Sequence, residues 1–371
     1  MNFSKSYTEN VEKKKLSKLS GVFEKGRGSR SNLPNRFETL SREKLIDPEW
    51  VEEGDPSIRT RFFNDSSRSL ITFNNSPDVG FEASINPYRG CEHGCAYCYA
   101  RPTHEYLGFS AGLDFETKIM VKEKAPELLA EELSSKNWRP KVLAMSGVTD
   151  PYQPIEKKLR LTRRCLEVLL RFRNPVLIIT KNHLIVRDLD LLRSLAGFSA
   201  SGVFISITSL DRDLCHRLEP RTSRPEKRLE AVSSLNAAGI PVGVMVAPVI
   251  PGLNDHEIPG ILQASAQAGA RFAGMVPVRL PMGVAPLFEE WIDSHYPERK
   301  GKILGRIREI RGGKLNDPDF GSRMRGSGPY ADQIRNLFNL ACRKAGLNRD
   351  KLALSVEHFR NDSKVQLALE F

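Results

Sequence analysis

The chain has 371 residues, 40% of them hydrophobic, which is enough for one large buried core, and a formal net charge of +11 at pH 7. No apolar run approaches the roughly 18 residues needed to cross a membrane, and the amino terminus lacks the apolar stretch of a secretory signal. Six cysteines are ordinary for a reducing compartment. We therefore predict a cytoplasmic protein with no membrane partner.

Two segments carry most of the excess positive charge. Residues 13–30 hold seven Lys or Arg and one Glu, and residues 299–325 hold nine Lys or Arg and three acidic residues. Such segments can attract nucleic acid, and they can equally be a flexible tail or a solvated surface. Residues 1–80 show no sustained hydrophobic period, so we expect a basic, partly disordered extension whose first 35 residues are mobile.

From Phe81 onwards the hydrophobic pattern predicts alternating strands and helices. The first strand, over residues 81–86, alternates apolar and polar residues and runs directly into a loop with three cysteines. Five more strands are predicted at 142–146, 176–180, 203–207, 242–246 and 272–276. Helices are predicted at 126–134, 161–172, 183–195, 225–238 and 257–268, the last two ending at Gly239 and Gly269. This alternation indicates an α/β fold with a parallel sheet and right-handed crossovers.

Three cysteines, Cys91, Cys95 and Cys98, lie in the loop that follows the first strand. A four-iron, four-sulfur (4Fe-4S) cluster is normally held by four thiolates. Three thiolates at this spacing therefore predict a cluster with one open iron, and an open position marks a catalytic metal. Gly90 and Gly94 suit a loop that needs positive φ angles and close approach of the backbone to sulfur.

Two alternatives to an iron–sulfur cluster are open at this point. His93 or His104 could complete a zinc site with the three cysteines, although zinc motifs usually come as two Cys/His pairs and no second pair follows. The three could also be ordinary buried cysteines. That packing role is the one we predict for Cys165, on the apolar face of the helix at 161–172, and for Cys342.

The run from Asn86 to Tyr99 resembles the signature of the radical S-adenosylmethionine (SAM) superfamily, in which an aromatic residue, here Tyr97, precedes the third cysteine. The continuation to Leu107 is similar to the branch that contains spore photoproduct lyase and uncharacterised bacterial proteins. The resemblance implies that the open iron of a 4Fe-4S cluster binds SAM. An electron, from a reducing donor of flavodoxin or ferredoxin type, would then cleave SAM to a 5'-deoxyadenosyl radical.

The resemblance also implies the architecture. It predicts a partial (β/α)6 TIM-like barrel of the radical SAM type over residues 81–280, between an amino-terminal extension at 1–80 and a mainly helical carboxyl-terminal extension at 281–371. In such barrels the active site gathers at the carboxyl ends of the strands. The cysteine loop is predicted to lie at one of those ends.

SAM contacts are implied first in the loop after the second strand. Gly147, Thr149 and Asp150 stand at the position of the family's segment that meets the SAM amino group, and Gln153 is a further polar candidate. The same loop is also explained by a proline-rich turn that Asp150 caps. Both interpretations stay open from the sequence.

Further contacts are implied at the ends of the fourth and fifth strands. Ser206 stands where the family places a hydrogen bond to the SAM ribose or carboxylate, and Thr208 shares its face of the strand. Ile250 and Gly252 match the family's adenine-binding segment. Asp255 in that segment is predicted to cap the helix that follows. Tyr97 completes the predicted cofactor-binding residues.

Arginines at positions 221, 224 and 228 lie near the predicted mouth of the barrel. They can bind the SAM carboxylate or a substrate phosphate. Pairing with Glu219 and Glu226 is the commoner arrangement, and it is the one we expect.

The sequence thus predicts a radical SAM enzyme that abstracts hydrogen from an unknown substrate. One alternative is a DNA photoproduct lyase-like repair enzyme, favoured by the resemblance and the basic segments. Another is a non-catalytic metal-cluster protein that binds nucleic acid. We assign no catalytic residue, and neither Cys215 nor Cys342 matches a motif that would make it a hydrogen-atom donor.

Overall fold

The computed structural model describes residues 26–37 and 59–361. Its strands are β1 (Arg61–Asn64), β2 (Ile71–Phe73), β3 (Ala83–Ile85), β4 (Tyr88–Arg89), β5 (Lys118–Val121), β6 (Leu143–Met145), β7 (Val176–Thr180), β8 (Ser201–Ser206), β9 (Val242–Val249) and β10 (Phe272–Pro277). Its helices are α1 (Leu113–Thr117), α2 (Ala125–Ser134), α3 (Glu156–Leu159), α4 (Leu161–Phe172), α5 (Leu189–Ala196), α6 (Arg212–Leu218), α7 (Pro225–Ala237), α8 (Ile258–Gln267), α9 (Val284–His295), α10 (Lys300–Glu309), α11 (Ser322–Arg325) and α12 (Pro329–Ala345). Short 3-10 helices cover Arg101–Leu107, His183–Asp188, Asp255–Glu257 and Pro297–Arg299.

The main sheet has the strand order β10-β9-β8-β7-β6-β3-β2. From β3 to β10 each strand is parallel to its neighbour, whereas β2 is antiparallel to β3 at the edge. The six predicted strands are confirmed as β3 and β6 to β10, although β3 is shorter than predicted and β9 extends to Val249. Because neighbours in space are neighbours in sequence and helices separate them, the sheet has the winding of a partial (β/α)6 barrel.

Helices pack against this sheet through apolar faces. Helix α4 buries Cys165, Leu169 and Phe172 in the main core, as its period predicts, so the packing role of Cys165 is confirmed. The glycines predicted to end two helices, Gly239 and Gly269, have positive φ angles of 75° and 101°. The helix signals in the sequence therefore located the elements that cover the sheet.

Two of the predicted helices begin differently from the prediction. The segment from His183 and the segment before α8 each start with a 3-10 turn. The predicted capping role of Asp255 is wrong, because the Tyr330 hydroxyl donates a hydrogen bond to its carboxylate. The cap positions are Asn254 and Glu257, and neither caps with its side chain.

The residues before the main sheet are more ordered than the sequence predicts. Strands β1, β5 and β4 form a second, three-stranded sheet, and Arg27, Ser29 and Asn35 are buried. The prediction of a mobile tail is therefore wrong for residues 26–35. Hydrophobic periodicity gave no signal there because the contacts are made by polar and backbone groups. Residues 1–25, with most of the basic segment at 13–30, lie outside the described residues.

The carboxyl-terminal residues are mainly helical as far as Ala345, and residues 346–361 contain no helix. Helix α12 packs against α8 and buries Cys342 in the main core, so the predicted packing role of Cys342 is confirmed. Within the described ranges, we find no helix with the length and apolarity required to span a membrane.

Candidate active site

The cysteine loop, residues 90–98, lies beside the loop that follows β6. The Thr149 hydroxyl donates to the Gly90 carbonyl oxygen at 2.7 Å, and the Gln153 amide oxygen accepts from the Glu92 backbone N–H at 3.0 Å. Both side chains are buried. Two of the predicted polar candidates therefore hold the cysteine loop itself.

Cys91, Cys95 and Cys98 form no disulfide, and Cys98 packs against the apolar clusters that contain Cys91 and Cys95. Burial raises the pKa of Cys95 and of Cys98, and repulsion from the neighbouring thiols raises both further. The positive charge of Lys181 acts in the opposite direction on both groups. Three thiols and the Lys181 ammonium thus lie near enough to influence one another's charge.

Two glycines and a buried ion pair fix the conformation of the loop. Gly90 and Gly94 have φ angles of 76° and 64°, as predicted for backbone that turns tightly around sulfur. The Arg101 guanidinium donates to the Cys95 carbonyl oxygen at 2.9 Å and to the Glu116 carboxylate at 2.5 Å. Both charged side chains are fully buried. Charge-assisted hydrogen bonds from Arg101 therefore hold the loop in place.

The segment 26–37, which we call the N-terminal clamp, packs on the same loop. The backbone N–H groups of Gly28 and Ser29 donate to the Glu116 carboxylate at 3.0 and 2.9 Å. The Arg27 guanidinium donates to the Glu116 carbonyl oxygen at 3.2 Å. Sequence reasoning missed this contact, because its partners lie far apart in the chain and no motif marks them.

His93, one of the two candidate zinc ligands, belongs to a buried polar network. Its Nδ1 lies 3.4 Å from the Asp150 carboxylate, and its Nε2 lies 3.2 Å from the Asn182 amide nitrogen. Asp150 also accepts hydrogen bonds from the Thr180 hydroxyl and the Lys181 backbone N–H. Burial acts to raise the pKa of Asp150, but the charge of His93 and these hydrogen bonds outweigh it and lower the pKa to about 2.

His104, the other candidate zinc ligand, is packed among aromatic rings. Its ring centre lies 5.3 Å from that of Phe109 and 5.6 Å from that of Phe115. Burial lowers the pKa of His104 to about 4, so the ring is neutral at pH 7. In residues 26–37 and 59–361, no three His, Cys, Asp or Glu side chains are placed to hold a single metal ion.

Tyr97 anchors the cysteine loop to the end of β8. Its hydroxyl donates to the Glu219 carboxylate, which also accepts from the Thr208 hydroxyl at 2.5 Å. Burial opposes ionisation of Glu219, but the charges of Arg228 and Lys181 outweigh it and lower the pKa. Arg228 forms a buried ion pair with Glu219, so the predicted Arg–Glu pairing is confirmed there.

The remaining predicted SAM residues lie at the ends of β8 and β9. Ser206 is buried at the last position of β8. Ile250 is fully buried in the same apolar cluster as Cys95 and Tyr97. Gly252 has a φ angle of 77°. The structure thus brings Ile250 and the cysteine loop together, although they are far apart in sequence.

Asn254 fixes the turn after β9, and sequence reasoning did not identify it. Its amide oxygen accepts from the Ile250 backbone N–H at 2.6 Å. Its amide nitrogen donates to the carbonyl oxygens of Thr208 and Pro248 at 2.7 and 3.0 Å. This buried amide therefore joins the ends of β8 and β9.

Two cations that the sequence analysis did not select complete the region. The Arg279 guanidinium, just after β10, lies 5.7 Å from the ring centre of Tyr99, whose hydroxyl donates to the Gly147 carbonyl oxygen at 2.6 Å. The Lys181 ammonium, just after β7, lies 5.9 Å from the ring centre of Tyr97. Both residues come just after parallel strands, and that position in the sequence could have identified them as candidates for the site.

The sequence matches the Radical SAM superfamily over residues 85–264. An uncharacterised protein of Mycobacterium tuberculosis is 35% identical over 254 residues, which cover 68% of this chain and 74% of that protein. The chain belongs to the radical SAM superfamily. A second uncharacterised relative, from Methanocaldococcus jannaschii, is 34% identical over 178 residues, 48% of this chain and 64% of that protein.

The radical SAM fold is also seen in the structural comparison. A spore photoproduct lyase mutant with bound AdoMet and dinucleoside spore photoproduct is 17% identical, with a TM-score of 0.54 over 77% of this chain and 80% of that chain. The radical SAM Nalpha-GlyT isomerase of Pseudomonas phage M6 is 24% identical over 230 residues, 61% of this chain and 46% of that protein. The protein is a radical SAM enzyme, and its family implies a 4Fe-4S cluster, SAM and a reductant.

In this radical SAM enzyme Cys215 lies on α6, close to the buried Glu219. Its thiol is buried and donates to the Ser209 carbonyl oxygen at 3.4 Å. Burial raises its pKa to about 12, and the charge of Glu219 adds to the effect. The thiol is therefore protonated at pH 7.

Proposed function

We propose that Cys91, Cys95 and Cys98 bind a 4Fe-4S cluster whose remaining iron binds SAM, and that the enzyme removes a hydrogen atom from its substrate. The observation that carries this proposal is the placement of three cysteines in one loop beside the carboxyl ends of the strands, where Cys98 packs against the apolar clusters of Cys91 and of Cys95. Three thiolates leave one iron of a cube without a protein ligand. Soft sulfur donors also suit iron–sulfur clusters.

The surrounding residues support the proposal because they fix the conformation of the cysteine loop. Arg101 and Glu116 fix it from one side, and Thr149 and Gln153 fix it from the other. A site whose ligands are already positioned binds its metal group without a large loss of conformational entropy. We accordingly keep residues 81–280 as the core of the enzyme, with extensions at 1–80 and 281–371.

We propose that SAM lies among the ends of four strands. No carboxylate in the described part of the chain forms an ion pair with Lys181, so its ammonium is suited to the SAM carboxylate. Gly147 and Ser206 lie at the ends of β6 and β8, where they are suited to the polar groups of SAM. Ile250 and Gly252 form the apolar turn proposed for adenine.

The other predicted cofactor residues act through the protein in this proposal. Thr149 and Asp150 use their side chains to hold the cysteine loop and His93. The Tyr97 hydroxyl donates a hydrogen bond to Glu219, which leaves the ring of Tyr97 to contact the cofactor. Through these contacts the three residues position the cysteine loop.

When bound, the cluster and SAM would supply a carbon-centred radical that abstracts hydrogen. The apolar packing of Ile250, Cys95 and Tyr97 excludes water from that region, which limits side reactions. We propose a flavodoxin- or ferredoxin-type protein as the electron donor and the cytoplasm as the location.

A DNA lesion lyase is the second candidate, supported by the fold shared with spore photoproduct lyase. The basic segment at 299–325 supports it weakly, because Lys300, Arg306 and Arg308 pair with carboxylates and Arg311 is buried. Family membership favours an enzyme over a non-catalytic nucleic-acid-binding protein. DNA affinity that falls steeply with salt would support the lyase.

The proposed function is tested by anaerobic reconstitution followed by reduction with dithionite in the presence of SAM. The wild type should form 5'-deoxyadenosine, and Cys98→Ala should not. Cys342→Ala is the matched control, because that thiol packs in the core far from the loop in sequence. Equal 5'-deoxyadenosine formation by Cys98→Ala and the wild type would refute the ligand assignment.

A further inference from the structure

Arg279 occupies a distinctive place at the rim of the site. It follows β10 between Val278 and Leu280, which are both buried in the apolar cluster of the cysteine loop. Its guanidinium lies over the ring of Tyr99. That ring is half exposed, and Tyr99 directly follows Cys98 in the chain. Arg279 is therefore one aromatic ring away from a proposed cluster ligand.

The charge of Arg279 is poorly compensated. No carboxylate in the described ranges lies within ion-pair distance of it, and its Nε is buried without a hydrogen-bond partner there. Its Nη1 donates a hydrogen bond to the Met324 sulfur at 3.3 Å, and a thioether is a weak acceptor. A guanidinium has five N–H donors, so most of its hydrogen-bonding capacity is free for a ligand.

Neighbouring charges make this region more positive. Burial lowers the pKa of Arg279, and repulsion from Arg323 lowers it further. Burial likewise lowers the pKa of Arg311 to about 10, and repulsion from Arg279 adds to it. The carboxylates of Asp78 and Asp317 partly offset this charge, but Asp78 pairs with Arg323 at 2.6 Å and accepts a hydrogen bond from Ser76.

The neighbouring arginines have structural tasks that Arg279 lacks. Arg311 donates to the carbonyl oxygens of Pro277, the last residue of β10, and of Val278, and also to those of Ser322 and Arg323. Arg323 is committed to Asp78. Arg311 and Arg323 donate to protein oxygens, whereas the hydrogen bond that Arg279 makes within the described residues is to a sulfur, and Arg279 lies beside the site.

We propose that Arg279 is the binding residue for an anionic group of the substrate, a phosphate ester or a carboxylate. Guanidinium forms bidentate pairs with both groups, and the site offers a net positive charge to meet them. This inference rests on the proposed function, since it names the substrate class for the same site. SAM is bound elsewhere in this scheme, with its carboxylate on Lys181.

The test compares wild type, Arg279→Gln and Arg279→Lys by calorimetric titration with inorganic phosphate and with acetate at constant ionic strength. The wild type should bind at least one of the two anions, and the stronger one identifies the substrate group. Arg279→Gln should lose roughly ten- to hundredfold in affinity, the range for charge-assisted hydrogen bonds. Arg279→Lys should recover only part of it, because an ammonium cannot form the bidentate pair.

Two further variants separate a specific site from general positive charge. Met324→Glu places a carboxylate beside Arg279 and should abolish anion binding, whereas Met324→Gln should preserve it. Arg335→Gln removes an exposed arginine that pairs with Asp332 on α12, and it should leave binding unchanged. Equal binding by wild type and Arg279→Gln, or no binding of either anion, overturns the proposal.

Titration with SAM in the same samples separates this proposal from the proposed function. Arg279→Gln should keep its iron content and its SAM affinity. If phosphate competes with SAM and Arg279→Gln weakens SAM binding, then the anion at Arg279 is the SAM carboxylate and the substrate assignment is wrong. If no variant cleaves SAM but Arg279 still determines phosphate affinity, the proposed function fails and the anion site stands.

Discussion

Gly28 lies so close to Gly94 that a Cβ atom at Gly28 would sit 1.6 Å from the Gly94 carbonyl oxygen. The N-terminal clamp and the cysteine loop are therefore in direct backbone contact between the first and second proposed cluster ligands. The conformation of the loop thus depends on a segment that lies more than 60 residues earlier in the chain.

The first prediction concerns this contact. Gly28→Ala should displace the clamp or the loop, because backbone cannot absorb so short a contact, and should destabilise the protein by about 1–3 kcal/mol. Iron content after reconstitution should fall with it. Gly80→Ala is the control, since a Cβ there meets nothing within 4 Å. Denaturant unfolding measures the difference, and equal stability of the two variants would show that the contact is not maintained in solution.

The second prediction concerns the buried pair Arg101–Glu116. Glu116→Gln leaves a buried guanidinium without its counter-charge and weakens the hydrogen bonds from Gly28 and Ser29. We expect a loss of about 3–5 kcal/mol in the free energy of unfolding. Glu127→Gln breaks the exposed pair with Arg164 and should cost less than about 1 kcal/mol. Comparable losses in the two variants would contradict the stated role of Glu116.

The third prediction concerns pH and His104. The pKa of His104 in the folded protein is about 4, below the ordinary value of 6.5. Below pH 6.5 this histidine therefore binds a proton in the unfolded chain but stays neutral in the folded protein. Stability should therefore fall as the pH drops from 7 towards 4, by about 2 kcal/mol at pH 5 from this group.

His104→Leu should remove this part of the acid sensitivity. Urea unfolding at pH 7 and pH 5 measures it, with His256→Gln, an exposed histidine, as the control that keeps the wild-type slope. An unchanged slope in His104→Leu would mean that the ring is not buried and neutral in solution.

The fourth prediction concerns Lys181. Lys181→Met removes the cation near the thiols and should raise the dissociation constant for SAM by roughly tenfold or more. The cluster should still assemble, because Lys181 is not a ligand. Lys227→Met, at an exposed lysine paired with Glu230, should bind SAM like the wild type. Normal SAM affinity in Lys181→Met would place the SAM carboxylate elsewhere.

The strands and most helices were predictable because their residues alternate or repeat locally. Val176–Thr180 and Val242–Val249 are short runs rich in β-branched apolar residues, which favour buried strands. The turn capped by Asp150 was likewise a local signal, and it is present, since the Tyr152 backbone N–H donates to that carboxylate at 2.9 Å. Such features depend on neighbours within a few residues.

What the sequence did not predict depends on partners far along the chain. Asp255 has a good local reason to cap a helix, yet its carboxylate accepts from Tyr330, 75 residues away. The contact of Gly28 and the role proposed for Arg279 could not be predicted from the sequence either, because each depends on residues far along the chain that the side chain or backbone contacts. Motif and resemblance located the cysteine loop, and the structure supplied its supports.

The central claim is that three cysteines hold a cluster whose open iron binds SAM. Electron paramagnetic resonance of the dithionite-reduced, reconstituted enzyme tests it most directly, in wild type, Cys95→Ala and the control Cys165→Ala. We predict a reduced 4Fe-4S signal that shifts on addition of SAM in the wild type and the control, and no such signal in Cys95→Ala. A cluster signal that persists in Cys95→Ala, or a wild-type signal that SAM does not change, would contradict the account.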